Sequence, residues 1–486
     1  MKTMIGRREL LVGGGAVVAA TAFWPSREAV PRAGRVAGNA AVDGLRRDYA
    51  AARDGVLERW WDPQRGTIRP TNGGDPHDRT GMRDPRGVPS FWQMACLENA
   101  LFNDADLDPA GGSRRRVAEQ WRYITAGVPA FTPRVLAGDG RGLTINLSDD
   151  AAWQCWYLMH AHMMTGDTRA LAWLAEATAA TRARFLDRDA GNPTITFGRT
   201  PTGRPIATNR YGILYVEDES PDFKYYGRLS SSVEAVLALT ELYVYRALGI
   251  PAYRECAQAS YRWIYEKLRT PPSDDPAAKA EGLYETELCL ARSGGTAGDR
   301  QAAYLKPVAA FWGKPIRGLD STYLSSAMAM ALLAERLAGL PGTAAADRRA
   351  YRTEAVHIAN TLPRPNAYGR DVGGRRLIAN TRDPWSEAFT GYPFAKEVLS
   401  LPGVAPATRA AFADTARHIL RSARDVEGRL TADWAGPERN FLTGRSTWEE
   451  DYRAQPGNQA GAAQIMTEGQ TLAMVQAGVA AAAMAG

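Results

Sequence analysis

Cysteine is scarce in this chain. There are four in 486 residues, at Cys96, Cys155, Cys256 and Cys289, widely spaced and with no CxxC pair. That spacing argues against a disulfide framework or a cysteine metal site, and leaves buried thiols as the expected role. There is no GxSxG elbow, no HExxH and no glycine-rich phosphate loop, so three large enzyme classes lack their signatures. Charge of one sign is nearly balanced by the other. The 59 Lys and Arg against 53 Asp and Glu leave a formal +6, carried mostly by scattered arginines. No basic run interleaves with aromatics, and nucleic acid is not an expected partner. His160 and His162 stand two apart in one helical stretch and face different directions, which argues against a shared metal. Glu217, Asp218, Glu219 and Asp222 form an acidic segment without the spacing of an EF-hand. No metal and no other cofactor is expected.

Long apolar runs are also missing, with one exception near the start. Arg7 and Arg8 precede an apolar stretch from Leu10 to Phe23, the pattern of a twin-arginine leader, with Ala20-Thr21-Ala22 as an A-x-A cleavage site. The stretch is too short and too rich in Gly and Ala for a stable membrane span. Pro, Gly and Arg dominate the segment behind it, through Ala41. Residues 1–40 therefore read as leader and linker, and 41–486 as a single folded domain. The rest of the chain holds no second run of spanning length. The mature chain is expected to be periplasmic or secreted, without a membrane span, and monomeric. Export of already folded cargo also fits the absence of a disulfide framework.

What is present is helical periodicity. With 45% hydrophobic and 23% charged residues the chain can bury a large core. Apolar residues recur at helical spacing over Val42–Trp60, Ser90–Asn103, Arg114–Ala126, Asp149–Thr165, Thr168–Leu186 and Ser231–Leu248. The pattern continues over Ala252–Leu268, Thr322–Leu337, Ala346–Thr361, Trp385–Leu401, Ala407–Asp425 and Ala462–Met484. Many of these pair through short turns, as at Gly166-Asp167 and Gly249-Ile250-Pro251. Paired helices without strand–helix alternation predict an all-α helical toroid or solenoid of about twelve helices. Three long irregular segments, Asp62–Pro89, Asp187–Arg228 and Pro271–Asp320, are expected to gather at one rim and build a cleft.

The segment richest in chemistry runs from Leu147 to Thr165. Asp149 and Asp150 open an aromatic-rich helix, and Trp153 comes one turn later on a face it can share with either. Adjacent carboxylates beside a tryptophan suit glycosidic chemistry, which needs an acid, a nucleophile or base, and a flat surface for a sugar ring. The same residues also suit a helix start. Ser148 would serve as the N-cap, and two acids in the first turn would complement the helix dipole.

Ordered blocks along the chain decide between these alternatives. They are Phe91-Trp92-Gln93, Asp149-Asp150-Ala151-Ala152-Trp153, Thr165-Gly166-Asp167, Ser230-Ser231-Ser232 with Leu242-Tyr243, Tyr261-Arg262-Trp263, Gly282-Leu283-Tyr284, and Arg382-Asp383-Pro384-Trp385 leading to Phe394-Ala395-Lys396-Glu397-Val398-Leu399. In order and spacing they resemble glycoside hydrolase family 76, the endo-α-1,6-mannanases, over most of the mature chain. The resemblance implies an (α/α)6 barrel that retains anomeric configuration. Asp149 would be its nucleophile and Asp150 its general acid/base, in a cleft where Trp92, Gln93, Trp153, Glu285, Tyr323, Asp383 and Trp385 bind an α-linked polysaccharide. The chain departs from the family's pattern where Glu285 and Glu287 come after Tyr284, and at Tyr323-Leu324, which leaves the sugar open. Two other functions remain open on the sequence. One is a polysaccharide lyase or unsaturated-uronyl hydrolase, for which Asn209, Arg210 and Tyr211 offer a weak cluster. The other is a non-catalytic glycan-binding protein.

Overall fold

Hairpins of helices set the architecture. A computed structural model describes residues 40–68, 91–127, 148–187, 191–215, 228–275, 278–285, 287–290, 305–307, 310–311, 314–315, 324–378, 395–424, 428–430, 439–440, 445–446 and 460–485. Among them are twelve helices: α1 (Ala40–Trp60), α2 (Phe91–Leu107), α3 (Ser113–Gly127), α4 (Ser148–Thr165), α5 (Thr168–Arg184), α6 (Ser231–Leu248), α7 (Pro251–Leu268), α8 (Leu324–Ala338), α9 (Ala345–Thr361), α10 (Ala395–Leu399), α11 (Pro406–Ser422) and α12 (Ala460–Ala485). Each falls where the periodicity predicts one. For α10, the expected residues before Ala395 lie outside the described residues.

The even-numbered helices close a ring. α2 packs on α4, α4 on α6, α6 on α8, α8 on α10, α10 on α12, and α12 returns to α2. The odd-numbered helices lie outside, each bridging its neighbours in the ring: α3 sits on α2 and α4, α5 on α4 and α6, α7 on α6 and α8, and α9 on α8 and α10. α1 and α11 cover α12 and touch each other. This is an (α/α)6 barrel.

The two rings differ in sequence for a physical reason. α8 is buried at every residue from Leu324 to Ala338 except Glu335, and small Ser and Ala side chains let its neighbours approach from several sides. The outer helix α7 buries only Ala252, Tyr253, Cys256, Ala257, Ser260, Tyr261, Trp263, Ile264 and Leu268, an i, i+3/i+4 stripe facing inward. Because successive helices reverse direction, all six inner helices start at the same end of the barrel.

Hairpin turns are fixed by local bonds. Between α4 and α5, Asp167 caps α5. Its Oδ1 accepts the Arg169 amide at 2.9 Å, and its Oδ2 accepts the Trp121 indole N–H of α3 at 2.9 Å. The Arg169 guanidinium, then the Trp121 and backbone donors, lower its pKa to about 2. A carboxylate held below its unfolded value of about 3.9 stabilises the fold above that pH and loses the effect as pH falls toward 2. Asp167→Ala is therefore expected to cost ~1 kcal/mol at neutral pH. Denaturant unfolding should show wild type and variant converging between about pH 4 and pH 2.

Short strands lie between the predicted helices. β1 (Thr194–Arg199) and β2 (Pro205–Asn209) form an antiparallel hairpin, β3 (Arg228–Ser230), β4 (Glu287–Leu290) and β5 (Leu305–Pro307) a three-stranded antiparallel sheet, and β6 (Gly369–Val372) and β7 (Arg375–Ile378) a second hairpin. Three further pairs of two-residue strands complete the β content among the described residues. No helix of the described residues is long and apolar enough to cross a membrane.

Candidate active site

Asp149 and Asp150 stand in the first turn of α4, at the end where every inner helix begins. Helix N-termini carry unpaired N–H groups and the positive end of the dipole, so a carboxylate there is favoured as an anion. Asp149 is half-buried. Its Oδ2 accepts a short hydrogen bond from the Tyr215 hydroxyl. The same tyrosine accepts the Ser148 amide through its carbonyl oxygen at 2.8 Å. One residue thus ties both the backbone at the start of α4 and the side chain of Asp149. The side chain of Asp150 lies outside the described residues.

Ser148 departs from expectation. It is the first helical residue rather than the cap, and its buried hydroxyl has no hydrogen-bond partner among the described residues. The carbonyl of Tyr215, not a serine cap, meets the first amide of α4.

Tyr215 adjoins a small antiparallel ribbon. Its neighbour Leu214 bridges Leu229 of β3 in antiparallel fashion, β3 pairs with β4, and β4 pairs with β5. β3 runs directly into α6, whose Ser231 hydroxyl donates to Ser326 of α8 at 3.0 Å. The starts of α4, α6 and α8 are joined in this way.

Beneath the ribbon lies a charged cluster with no exposure. The Arg182 guanidinium of α5 makes five hydrogen bonds: to both carboxylate oxygens of Glu241 at 2.5 and 3.1 Å, to Glu234 at 2.9 Å, to Thr208 at 3.0 Å and to Ser260 at 2.9 Å. Burial works against its charge, but Cys256, Glu234 and Glu241 around it raise its pKa well above the ordinary value, so it stays a cation. Glu234 also accepts the Ile213 amide at 2.5 Å, two residues before Tyr215. Gly212 makes that approach possible. Its φ is +82°, and a Cβ there would lie 2.5 Å from Glu234 Oε1 and 2.7 Å from the Trp263 ring.

The other expected site residues divide into three groups. Glu285 sits at the same end: its amide donates to Leu268 at the end of α7 at 2.8 Å, and its carboxylate pairs closely with Lys279. Trp153 points into the core and is only 2% exposed. For Trp92 and Gln93 the backbone lies in the first turn of α2 and the side chains are outside the described residues, as are Tyr323, Asp383 and Trp385 entirely.

Deeper in the barrel, α2 and α4 share polar contacts that periodicity did not reveal. The Trp156 indole donates to Asn99 at 2.9 Å, and His160 meets Glu98 at 3.0 Å while stacking on Phe102. Burial raises the pKa of Glu98 against the opposing pull of His160. His162 meets Tyr243 instead, so the two histidines do face different neighbours. Cys155 and Cys256 are free and buried. Among the described residues, no group of three or more His, Cys, Asp or Glu is gathered as a metal site requires. The acidic residues Glu217, Asp218, Glu219 and Asp222 lie outside the described residues.

Tyr215 is the site residue the sequence did not signal. It lies 66 residues from Asp149 in a segment without periodicity, and only the fold brings them together. The cluster considered for a lyase has a different use. The Asn209 amide donates to the Asp187 and Asn192 carbonyls at 3.0 and 2.7 Å, its oxygen accepts the Asp187 amide at 2.5 Å, and the Asn192 side chain accepts the Tyr211 amide at 2.9 Å. The Arg210 guanidinium lies 5.3 Å from the centre of the Tyr211 ring. Asn209 and the Tyr211 backbone latch β2 to the end of α5.

No family model and no curated protein matches the sequence. Solved structures do match in fold. One is an inactive variant of an α-1,6-mannanase of Salegentibacter sp. HEL1_6, with two consecutive aspartates changed to asparagine and α-1,6-mannotriose bound. It is 12% identical with a TM-score of 0.55, over 91% of this chain and 99% of that one. A family 76 glycoside hydrolase (mannosidase) of Bacteroides thetaiotaomicron is 13% identical with a TM-score of 0.56, over 91% and 98%. A family 76 glycoside hydrolase from a bovine strain of the same species is 14% identical with a TM-score of 0.55, over 90% and 78%. At these identities the likeness is one of fold, and it is the fold that the sequence blocks imply.

Proposed function

We propose that this chain is an exported, retaining glycoside hydrolase that cuts an α-linked polysaccharide internally, α-1,6-mannan or a related glycan. The observation that carries the proposal is the Asp149-Asp150 pair at the start of an inner barrel helix, with Asp149 clasped by Tyr215. Asp149 attacks the anomeric carbon and forms a glycosyl ester, while Asp150 protonates the departing glycosidic oxygen. Asp150 then takes a proton from water, which attacks the ester and releases the sugar with its configuration retained. Two neighbouring carboxyls cannot both ionise cheaply, so one holds its proton near neutral pH and serves as acid. The shared fold with a mannanase that has an inactive variant changed at two consecutive aspartates supports a catalytic role for the pair here. The structural use of Asn209 and of the Tyr211 backbone takes weight from the lyase alternative.

Arg7-Arg8 and the apolar stretch behind them support export by the twin-arginine route to the periplasm or beyond. Cell fractionation with the Arg pair changed to Lys tests that part. The activity is tested on a panel of α- and β-linked glycans and uronate polymers with product analysis. Short saturated oligosaccharides with retained anomeric configuration are expected from an α-linked polymer. Unsaturated products from a uronate polymer would overturn the proposal in favour of a lyase.

A further inference from the structure

We propose that Tyr215 is the positioning residue of the Asp149 nucleophile, and that the buried Arg182–Glu234 pair holds Tyr215 in place. The inference rests on the function proposed above. Tyr215 is bound to α4 twice, through its carbonyl to the Ser148 amide and through its hydroxyl to Asp149 Oδ2. Since the first bond is made by the backbone, the side chain enters from a fixed origin. Donation from the Tyr215 hydroxyl orients the carboxylate through Oδ2. It also favours the ionised carboxylate that attack requires.

The origin is itself fixed from below. Glu234 accepts the Ile213 amide and the Arg182 guanidinium, while Leu214 bridges to Leu229. The backbone on either side of Leu214 is thereby held before Tyr215 reaches the carboxylate. A nucleophile oriented by a hydrogen bond from a pinned residue meets the need for orientation before reaction. Misplacement by about 1 Å costs on the order of a hundredfold.

Tyr215→Phe removes one oxygen and keeps the backbone clamp, so the fold should survive. The test compares wild type, Tyr215→Phe and Asp149→Asn on α-1,6-mannan and on an aryl α-1,6-mannobioside with an activated leaving group. Active molecules are counted by trapping the glycosyl ester with a fluorinated sugar, and melting temperature is measured alongside. Tyr215→Phe is expected to lower kcat by roughly 10- to 100-fold on both substrates alike, to leave KM close to wild type, and to slow trapping by the same factor. An equal loss on both substrates is the signature of the nucleophile, because an activated leaving group needs little protonation.

A loss on mannan that spares the aryl substrate would put Tyr215 with the leaving-group proton and overturn the inference. So would wild-type kcat in Tyr215→Phe while Asp149→Asn is dead, a result that leaves the hydrolase proposal standing. So would a fall in melting temperature with unchanged turnover per active molecule. Full activity of Asp149→Asn would remove the hydrolase proposal itself, and this inference with it.

Discussion

Asp149→Asn is expected to lower turnover by roughly 10⁴-fold or more, the scale seen when a covalent nucleophile is removed, while its melting temperature stays near wild type. An amide cannot form the glycosyl ester, yet it keeps the shape of the carboxylate and can still accept the Tyr215 hydroxyl. The side chain is half-buried at a helix start, so no apolar contact of consequence is lost. Asp150→Asn should also be severe, but least so on substrates with activated leaving groups, which need little protonation. Kinetics on a substrate identified by the glycan panel, paired with thermal melts, check both variants. Wild-type turnover in both would mean that the acids serve only the helix dipole.

The second large effect is on stability. Arg182→Met should destabilise the fold by about 3–5 kcal/mol, the cost of leaving a buried charge without its partner. The upper end applies because Glu234 and Glu241 both lose the same cation, and neither is exposed. Denaturant unfolding measures it. Replacing Arg182, Glu234 and Glu241 together by apolar residues of matching volume should recover part of the loss, since no charge is then stranded although the Ile213 amide loses its acceptor. If Arg182→Met alone were neutral, the cluster would not be the anchor described here.

The fold was legible because helices announce themselves. The run Ser231–Leu248 is buried nearly all round, its two glutamates included, and Pro251–Leu268 along one stripe, and both runs carry helical periodicity in the sequence. The aspartate pair was legible by its place at a helix start and by the order of the blocks around it. The β hairpins were missed. For β6 and β7 a signal existed in Gly373-Gly374, both at positive φ, which is the requirement of a tight hairpin turn. Tyr215 and Arg182 carried no such signal. A contact made across 66 residues, or a buried arginine amid an alanine-rich helix, depends on where helices meet, and no local period encodes that. Trp153 shows the converse. Its spacing from the aspartates suited a sugar platform, but the ring that shares their helix is buried in the core at 2% exposure.

The closure of the ring sets an order in time. α12 completes it, packing on α2 and lying under α1. The Gln476 amide reaches Tyr49 and the Ala100 carbonyl, and Glu468 takes the Arg59 guanidinium and the Trp60 indole. During synthesis the first two helices therefore emerge with a face whose partner lies about four hundred residues away, as the pair Tyr49 and Gln476 shows by its separation of 427. Until Ala460–Ala485 leave the ribosome, the barrel is an open arc with an apolar edge at each side, exposed to chaperones and to other chains. If Arg7-Arg8 and the stretch behind them direct export of folded cargo, as proposed, that step would follow the closing of this last seam.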